Sequence, residues 1–176
     1  SWQLILTKPE GEARPRIVPS FLFVGDVCGK AKEATDFYLS VFKHSKRGAL
    51  ATYPAGMEPD KEGSVMFSDI MLEDQWFVAM DSAHKHDFKF NEAISMIVHC
   101  DTQEEIDYYW DALSADPEAG QCGWLKDAYG VSWQIVPTAM DEMMRGDKEK
   151  INRVTQAFLK MKKFDIATLE AAAEGR

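Results

Sequence analysis

The chain contains an internal repeat, and this repeat restricts its possible folds more than any other feature of the sequence. Residues 33–42 (EATDFYLSVF) and 104–113 (EEIDYYWDAL) align at a constant offset of 71, with identical residues at the first, fourth and sixth positions. Both stretches carry apolar residues at helical spacing, which predicts two amphipathic helices. Thr102 followed by Glu105 forms a capping box and predicts where the second helix begins.

The same order of elements surrounds both helices. A β-rich run precedes each one, at residues 21–28 and 93–100. The predicted strands that follow are 47–53, 63–72 and 75–81 in the first half, with Glu73-Asp74 as a turn, and 120–125 and 131–137 in the second. We therefore expect an α+β fold of two tandem βαβββ modules, which form a curved mixed sheet around a cleft. The modules span about 16–82 and 91–138 of a paired domain covering 16–138.

Two segments lie outside the repeat. Residues 1–15 contain Pro9, Gly11 and Pro15 and are interpreted as an N-terminal arm or a tag remnant with a linker. Residues 139–176 predict a C-terminal helical extension, with Asp147 and Asp165 as helix N-caps. Its apolar face must be buried either on the same sheet or on a second subunit. The second possibility leads us to expect a homodimer.

Composition excludes several classes of protein. The 176 residues carry a formal net charge of -9, which argues against a protein that coats nucleic acid or an anionic membrane. No apolar run approaches the roughly 18 residues that a membrane-spanning helix needs. Cys28, Cys100 and Cys122 are an odd number and widely spaced, so reduced thiols in the cytoplasm are expected.

Three blocks of sequence resemble a known family. They are the stretches GKAKEATDFYLSVF from residue 29, NEAISMIVHCDTQEEIDYYW from residue 91 and QCGWLKDAYGVSWQIVP from residue 121. Together with the ending MKKFDIATLEAA, they are similar to the PhnB-like branch of the vicinal oxygen chelate (glyoxalase/bleomycin-resistance) superfamily, over about residues 16–172. The resemblance implies the paired βαβββ fold. Some members of this branch carry the name 3-demethylubiquinone-9 3-methyltransferase.

The resemblance also locates the positions that would hold a catalytic metal. In the superfamily, the ligands come from the first and last strand of each module. These positions fall near Val24 (or Phe23), Ser95 (or Ile94), Ala79 and Gln134 in this sequence. Only Gln134 is a credible ligand, and one amide cannot hold a divalent cation. We therefore predict no metal and no other cofactor.

The histidines do not form a clear metal site either. His84 and His86 are two residues apart but lie between Asp81 and Asp87, in what is most simply a solvated loop. His44 ends a predicted helix, where a cation suits the helix dipole. His99 alternates with Ser95 and Ile97 on its strand, so it is expected on the cleft side of the sheet.

Strand alternation predicts which residues line the cleft. In the second module, one face of the first strand (93–100) mixes polar and apolar residues and is expected to face the cleft, as is one face of the last strand (131–137). The neighbouring strand (120–125) supplies further candidates. An apolar wall with a few convergent polar groups is typical of a small-molecule site. The candidate residues are Ser95, His99, Cys122, Trp124, Lys126, Ser132, Trp133 and Gln134. Ring packing alone is an equal alternative for Trp124 and Trp133, and Lys126-Asp127 has the alternative of a turn ion pair.

These residues favour a protein that binds a small organic molecule without a complete catalytic metal site. A metal-dependent lyase, isomerase or dioxygenase of the superfamily is the first alternative, and it lacks its ligands. A methyltransferase, as the family name implies, is the second. The common doubly wound type needs a Gly-rich turn between a strand and a helix, and Gly25, Gly29 and Gly63 do not form one.

Overall fold

The chain divides into two compact units, Ser1–Lys89 and Phe90–Arg176. A computed structural model describes residues 13–118 and 120–176. Most of the expected N-terminal arm therefore lies outside the described residues. In the part of the chain that is described, no helix is both long and apolar enough to cross a membrane.

The first unit is the predicted βαβββ module. Its sheet has the order β1-β4-β3-β2, with β1 parallel to β4 and the other neighbours antiparallel. The elements are β1 (Ser20–Phe23), a short 3-10 helix (Gly25–Val27), α1 (Ala31–Val41), β2 (Ser45–Thr52), β3 (Val65–Leu72) and β4 (Gln75–Asp81). The first strand is shorter than predicted because Gly25, with a φ of 56°, turns the chain into the 3-10 helix.

Helix α1 is fixed on one face of this sheet by apolar packing and by one buried carboxylate. Ala34, Tyr38 and Val41 form its buried stripe. Asp81, at the end of β4, accepts hydrogen bonds from the backbone N–H groups of Gly29 and Ala31, at 2.7 and 3.1 Å. A side chain at the end of β4 therefore caps the start of α1.

The second unit has a shorter sheet than predicted. Its elements are β5 (Ser95–Cys100), α2 (Gln103–Leu113), β6 (Trp124–Lys126), β7 (Ser132–Pro137), α3 (Met140–Met143), α4 (Lys148–Phe158) and α5 (Ile166–Glu174). Among its described residues the sheet has three strands in the order β5-β7-β6, with β5 parallel to β7. The predicted strand 120–125 begins only at Trp124, because Cys122 and Gly123 have φ values of 51° and 79°.

The C-terminal extension packs on this same unit. The segment between α4 and α5 runs beside the start of β6, where the carbonyls of Met161 and Lys162 accept hydrogen bonds from the N–H groups of Cys122 and Gly123, at 2.8 and 2.7 Å. The amide of Gln103 on α2 bonds both the carbonyl of Phe164 and the N–H of Ile166. The sequence left open whether the extension packs on its own chain or on a second subunit, and here it packs on its own chain.

Side-chain caps begin three of the helices as predicted. Thr102, Asp147 and Asp165 accept hydrogen bonds from the backbone N–H groups three residues later, at 3.3, 2.8 and 2.7 Å. Glu105 completes the first cap by accepting from the N–H of Asp101, one residue earlier than the usual capping-box partner.

Candidate ligand-binding site

One face of the second sheet is covered by α2, and the other carries most of the candidate site residues. The register pairs Ser95 with Ser132 and Trp124 with Gln134, so all four side chains lie on the open face. Lys126 pairs with Ser132 and joins them. The apolar side chains that alternate with these residues on β6 and β7 are buried on the α2 side.

Two predicted residues on this face bind each other. The side-chain amide of Gln134 donates a hydrogen bond from Nε2 to Oγ of Ser95, at 2.7 Å. Both side chains are half-buried. The pair links the two parallel strands β5 and β7 across the sheet and leaves each group with remaining hydrogen-bonding capacity.

A pocket of about 380 Å³ lies beside this pair, entirely within the second unit. Its walls combine apolar and polar residues. Its polar and aromatic lining residues are Glu92, Asp116, Gln121, Trp124, Lys126 and Ser132. This make-up and size fit a small-molecule site at the lower end of the usual range.

Ser132 is the distinctive polar group of the pocket. Its side chain is 1% exposed, and among the described residues its Oγ has no hydrogen-bond partner. A buried hydroxyl without a partner costs about 1–3 kcal/mol, so native proteins rarely contain one without a reason. The Oγ is closed off from solvent in this rotamer. Rotation about χ1 would turn it toward a molecule in the pocket and remove that cost.

An ion pair stands at the rim of the pocket. Lys126 bonds the carboxylate of Glu92, and this hydrogen bond is the largest cause of the lowered pKa of Glu92. Both side chains are largely exposed, so the pair adds little to stability. It does neutralise the lysine, which leaves the rim without a net charge. The alternative pairing of Lys126 with Asp127 is wrong.

Asp127 organises the turn behind the pocket. Its buried carboxylate accepts hydrogen bonds from the backbone N–H groups of Tyr129 and Val131 and from Nε1 of Trp133, at 2.9, 3.0 and 2.9 Å. The turn between β6 and β7 is therefore fixed by one side chain, which holds Ser132 in place.

Five of the eight candidate residues do not line the pocket, and two of these are the hydrogen-bonded Ser95 and Gln134 beside it. The other three lie elsewhere. Trp133 is 2% exposed on the α2 side of the sheet, because strand alternation turns it away from Ser132 and Gln134. Cys122 lies in the left-handed turn before β6 and donates its thiol to the carbonyl of Phe158, at 3.6 Å. His99 is exposed on the open face near the far end of β5, opposite Val136.

Some pocket residues have no signal in the sequence. Asp116 and Gln121 lie in the connection between α2 and β6, and Glu92 lies before β5. Neither the period of a strand nor that of a helix covers such positions. Only the opposite charges of Glu92 and Lys126, 34 residues apart, could have indicated a pairing.

The positions of the superfamily metal do not fit a metal ion here. Phe23, Val24 and Ala79 are buried and apolar, while Ser95 and Gln134 are hydrogen-bonded to each other. In the described ranges no three His, Cys, Asp or Glu side chains come together as a possible metal site. His84 and His86 have separate partners: Asp60 at 3.7 Å and Ser82 at 2.9 Å.

The nucleotide-type cofactor site of the common methyltransferases does not fit these residues either. Each sheet has one parallel pair of strands, unlike a doubly wound sheet. The N–H groups at the start of α1 bond Asp81, and Thr102 caps α2. Both helix starts that follow a strand are therefore engaged by the chain itself.

The two units define an α+β protein built from a duplicated strand–helix–strand module with a helical tail, the class that the repeat predicted. Residues 15–136 match the family model described as 3-demethylubiquinone-9 3-methyltransferase. The chain belongs to this family, the PhnB-like family whose motifs it carries.

Solved structures agree with this assignment. A PhnB protein from Bacillus cereus, which carries the same methyltransferase name, is 34% identical, with a TM-score of 0.60 over 70% of this chain and 100% of that one. A protein from Pseudomonas aeruginosa is 21% identical, with a TM-score of 0.50 over 72% of this chain and 98% of that one, and shows the fold alone. No curated protein matches the chain.

Proposed function

We propose that this PhnB-like protein binds a small, uncharged organic molecule in the pocket of its second unit. The observation that carries the proposal is the Ser132 hydroxyl, which is buried at the pocket wall without a partner among the described residues. Trp124, on the same face of the sheet, supplies apolar surface beside it. A ligand with a flat apolar body and one polar group would satisfy both features.

The charges around the pocket support an uncharged ligand. Lys126 is already paired with Glu92, so an anion would have to compete with a carboxylate for it. Asp116 adds a negative charge to the wall and disfavours an anion further. We therefore place polar recognition on Ser132 rather than on a charged residue.

Binding rather than catalysis is the role that these residues favour. The pocket contains a hydroxyl, an amide and an ion pair, but His99 lies apart from it on the sheet and Cys122 is engaged with the C-terminal segment. A serine needs an adjacent base to act as a nucleophile. A role that needs only selective binding requires no such base.

The family name supports a methyltransferase as the second candidate. The test is whether the purified chain binds S-adenosylmethionine, measured by isothermal titration calorimetry. Saturable binding at one site per chain would favour methyl transfer over simple ligand binding. Its absence would leave the binding role as the better one.

The cytoplasm is the proposed location, and nucleic acid and membranes are not proposed as partners. Cys28, Cys100 and Cys122 are all free thiols. A reducing compartment is where such thiols persist. The net charge of -9 disfavours both polyanionic partners.

The experiment is native mass spectrometry of the protein isolated from its own cells, followed by variants of the pocket. We expect a retained small molecule, and about tenfold weaker retention or more after Ser132→Ala, which removes one hydrogen bond. Ser114→Ala is the matched control, because Ser114 also has a buried hydroxyl without a partner among described residues but does not line the pocket.

A measurement of stability distinguishes the loss of the retained molecule from unfolding of the variant. Removing an unpaired hydroxyl leaves stability unchanged or raises it by about 1 kcal/mol, so Ser132→Ala is expected to stay folded. Gln134→Ala should weaken retention less, because Gln134 lies beside the pocket. Equal retention by native chain, Ser132→Ala and Gln134→Ala would show that the ligand binds elsewhere.

A further inference from the structure

A second candidate site, formed by a cluster of buried side chains, lies in the first unit on the sheet face opposite α1. Asp69 of β3 and Trp76 of β4 share this face, since Asp69 pairs with Val78 and Met71 pairs with Trp76. Both Asp69 and Trp76 are 4% exposed. A carboxylate buried this deeply is stable only when a cation and hydrogen-bond donors satisfy it.

Arg14 satisfies it from the segment that precedes β1. Its Nε lies 2.7 Å from Oδ2 of Asp69, and its guanidinium carbon lies 3.4 Å from the centre of the Trp76 ring. The backbone N–H of Ala49 donates to Oδ1 of the same carboxylate. The guanidinium is thus held by a charge-assisted hydrogen bond and by a cation–π contact at once.

Gly48 leaves the space that this arrangement needs. A Cβ at residue 48 would overlap the carboxylate of Asp69 and would lie 2.6 Å from Nη2 of Arg14. We call Gly48, Asp69 and Trp76 the guanidinium cage. A carboxylate, an aromatic face and an open backbone position are the parts of a site built for a planar cation.

Arg14 lies in a stretch of irregular backbone. Residues 13–17 form neither helix nor strand, and in this stretch Arg14 is half-buried while its neighbours are exposed. Ile17 is 83% exposed. The cage contacts this stretch through the side chain of Arg14, which is itself 21% exposed.

We propose that the guanidinium cage is a binding site for a small guanidino compound and that Arg14 is its exchangeable internal occupant. The carboxylate binds the N–H groups of a guanidinium, and the Trp76 face binds its planar cation. An alkylammonium ion has no planar fork, so it should bind less well. This site is independent of the proposed pocket of the second unit.

The test uses ethylguanidinium as the ligand and the full chain with Arg14→Ala, which removes the internal guanidinium and leaves Lys46 over the Trp76 ring, at 5.7 Å. We expect ethylguanidinium to raise the melting temperature of Arg14→Ala and to change its tryptophan fluorescence, both saturably. Ethylammonium at equal concentration should act about tenfold more weakly or not at all. The native chain should need more ethylguanidinium, because Arg14 competes for the site.

Further variants decide between the cage and a general salt effect. Arg16→Ala, on an exposed neighbour, should behave like the native chain. Asp69→Asn or Gly48→Ala, added to Arg14→Ala, should abolish the response. A response that survives Asp69→Asn, or no saturable response in folded Arg14→Ala, would overturn the proposal.

A measurement on the native chain covers the case in which Arg14→Ala does not fold. Hydrogen exchange of residues 13–18 should become faster as ethylguanidinium displaces Arg14, while ethylammonium leaves it unchanged. Exchange that stays the same up to high ethylguanidinium would show that Arg14 is a fixed structural contact, and the proposal would be wrong.

Discussion

At the scale of single residues, buried carboxylates do more to fix this fold than the exposed ion pairs. Asp81 holds the start of α1, Asp69 holds Arg14, and Asp127 holds the turn between β6 and β7. Each accepts a hydrogen bond from at least one backbone N–H group. Loss of such a carboxylate therefore leaves several donors unsatisfied.

We expect Asp127→Ala to lower the free energy of unfolding by about 3 kcal/mol, because it leaves two N–H groups and the Trp133 indole without their acceptor. Urea unfolding followed by circular dichroism measures the change. Asp87→Ala, on an exposed carboxylate, should change stability by less than about 0.5 kcal/mol. Similar values for both would refute the role given to Asp127.

Cys100 predicts how stability varies with alkaline pH. Burial, followed by the nearby carboxylates of Glu105 and Asp101, raises the pKa of this thiol from its ordinary value of 9.0 to about 12. The unfolded chain therefore loses the thiol proton first, so above about pH 9 the unfolded state is favoured increasingly. The contribution is complete below pH 9 and disappears as the pH rises toward 12.

The measurement is the urea midpoint of the native chain and of Cys100→Ala at a series of pH values from neutral to alkaline. Stability of Cys100→Ala should fall less steeply above pH 9, while the difference between the two proteins stays constant below pH 8. Parallel curves throughout would mean that the thiol ionises equally in the folded and unfolded chains.

At the scale of elements, the C-terminal segment packs against the start of β6 in the second sheet. Gly123 is the close contact: its φ is 79°, and a Cβ there would lie 2.6 Å from the Phe164 ring and 2.8 Å from the carbonyl of Ile135. Only glycine combines this backbone conformation with this lack of space.

Gly123→Ala should therefore destabilise the chain more than a left-handed alanine alone does. Gly56→Ala is the matched control, because Gly56 has a φ of 81° and open space around its Cβ position. We expect a loss of about 1–2 kcal/mol for Gly56→Ala and about 2 kcal/mol more for Gly123→Ala, from the backbone and steric terms respectively. Chemical denaturation measures both, and equal losses would contradict the close packing.

The elements that local chemistry specifies are the ones that the sequence could predict. The strand 75–81, the helix caps at Thr102, Asp147 and Asp165, and the turn at Glu73-Asp74 follow from period, hydrogen-bonding side chains and turn residues. The late start of β6, at Trp124 rather than at residue 120, was not predictable. It depends on left-handed backbone at Cys122 and on contacts with residues nearly 40 positions later.

The same limit applies to the candidate site. Alternation along β6 and β7 correctly grouped Trp124, Ser132 and Gln134, because the register of a sheet fixes which side chains share a face. It gave no information on loop residues such as Asp116, nor on the orphaned state of the Ser132 hydroxyl. Both depend on how irregular backbone crosses the edge of the sheet.

At the scale of the whole molecule, the homodimer remains a prediction, but it now rests on exposed apolar side chains rather than on the helical tail. The helical tail no longer requires a partner, since Val154, Phe164 and Leu169 are buried within the second unit. Large apolar side chains such as Ile94 and Ile97 are exposed, at 73% and 52%. We expect sedimentation equilibrium to give twice the chain mass of 19.9 kDa at micromolar protein.

Ile97→Lys tests whether that association uses the open face of the second sheet. A charge there should shift the sedimentation result toward a single chain without loss of circular dichroism signal. Lys85→Glu, at an exposed position of the first unit, serves as the control for altered charge. A native chain that sediments as a monomer would end the dimer hypothesis directly.

The hydrogen bonds from Cys122 and Gly123 to Met161 and Lys162 also have a consequence for folding during synthesis, because their acceptors are among the last residues to be made. All four strands of the first unit exist once Asp81 has left the ribosome, so that half can fold early. The second half must wait with an open sheet edge until residues beyond 160 emerge. Its apolar strands are thus exposed for longer in a growing chain, and this half is where a translating cell would most need chaperones.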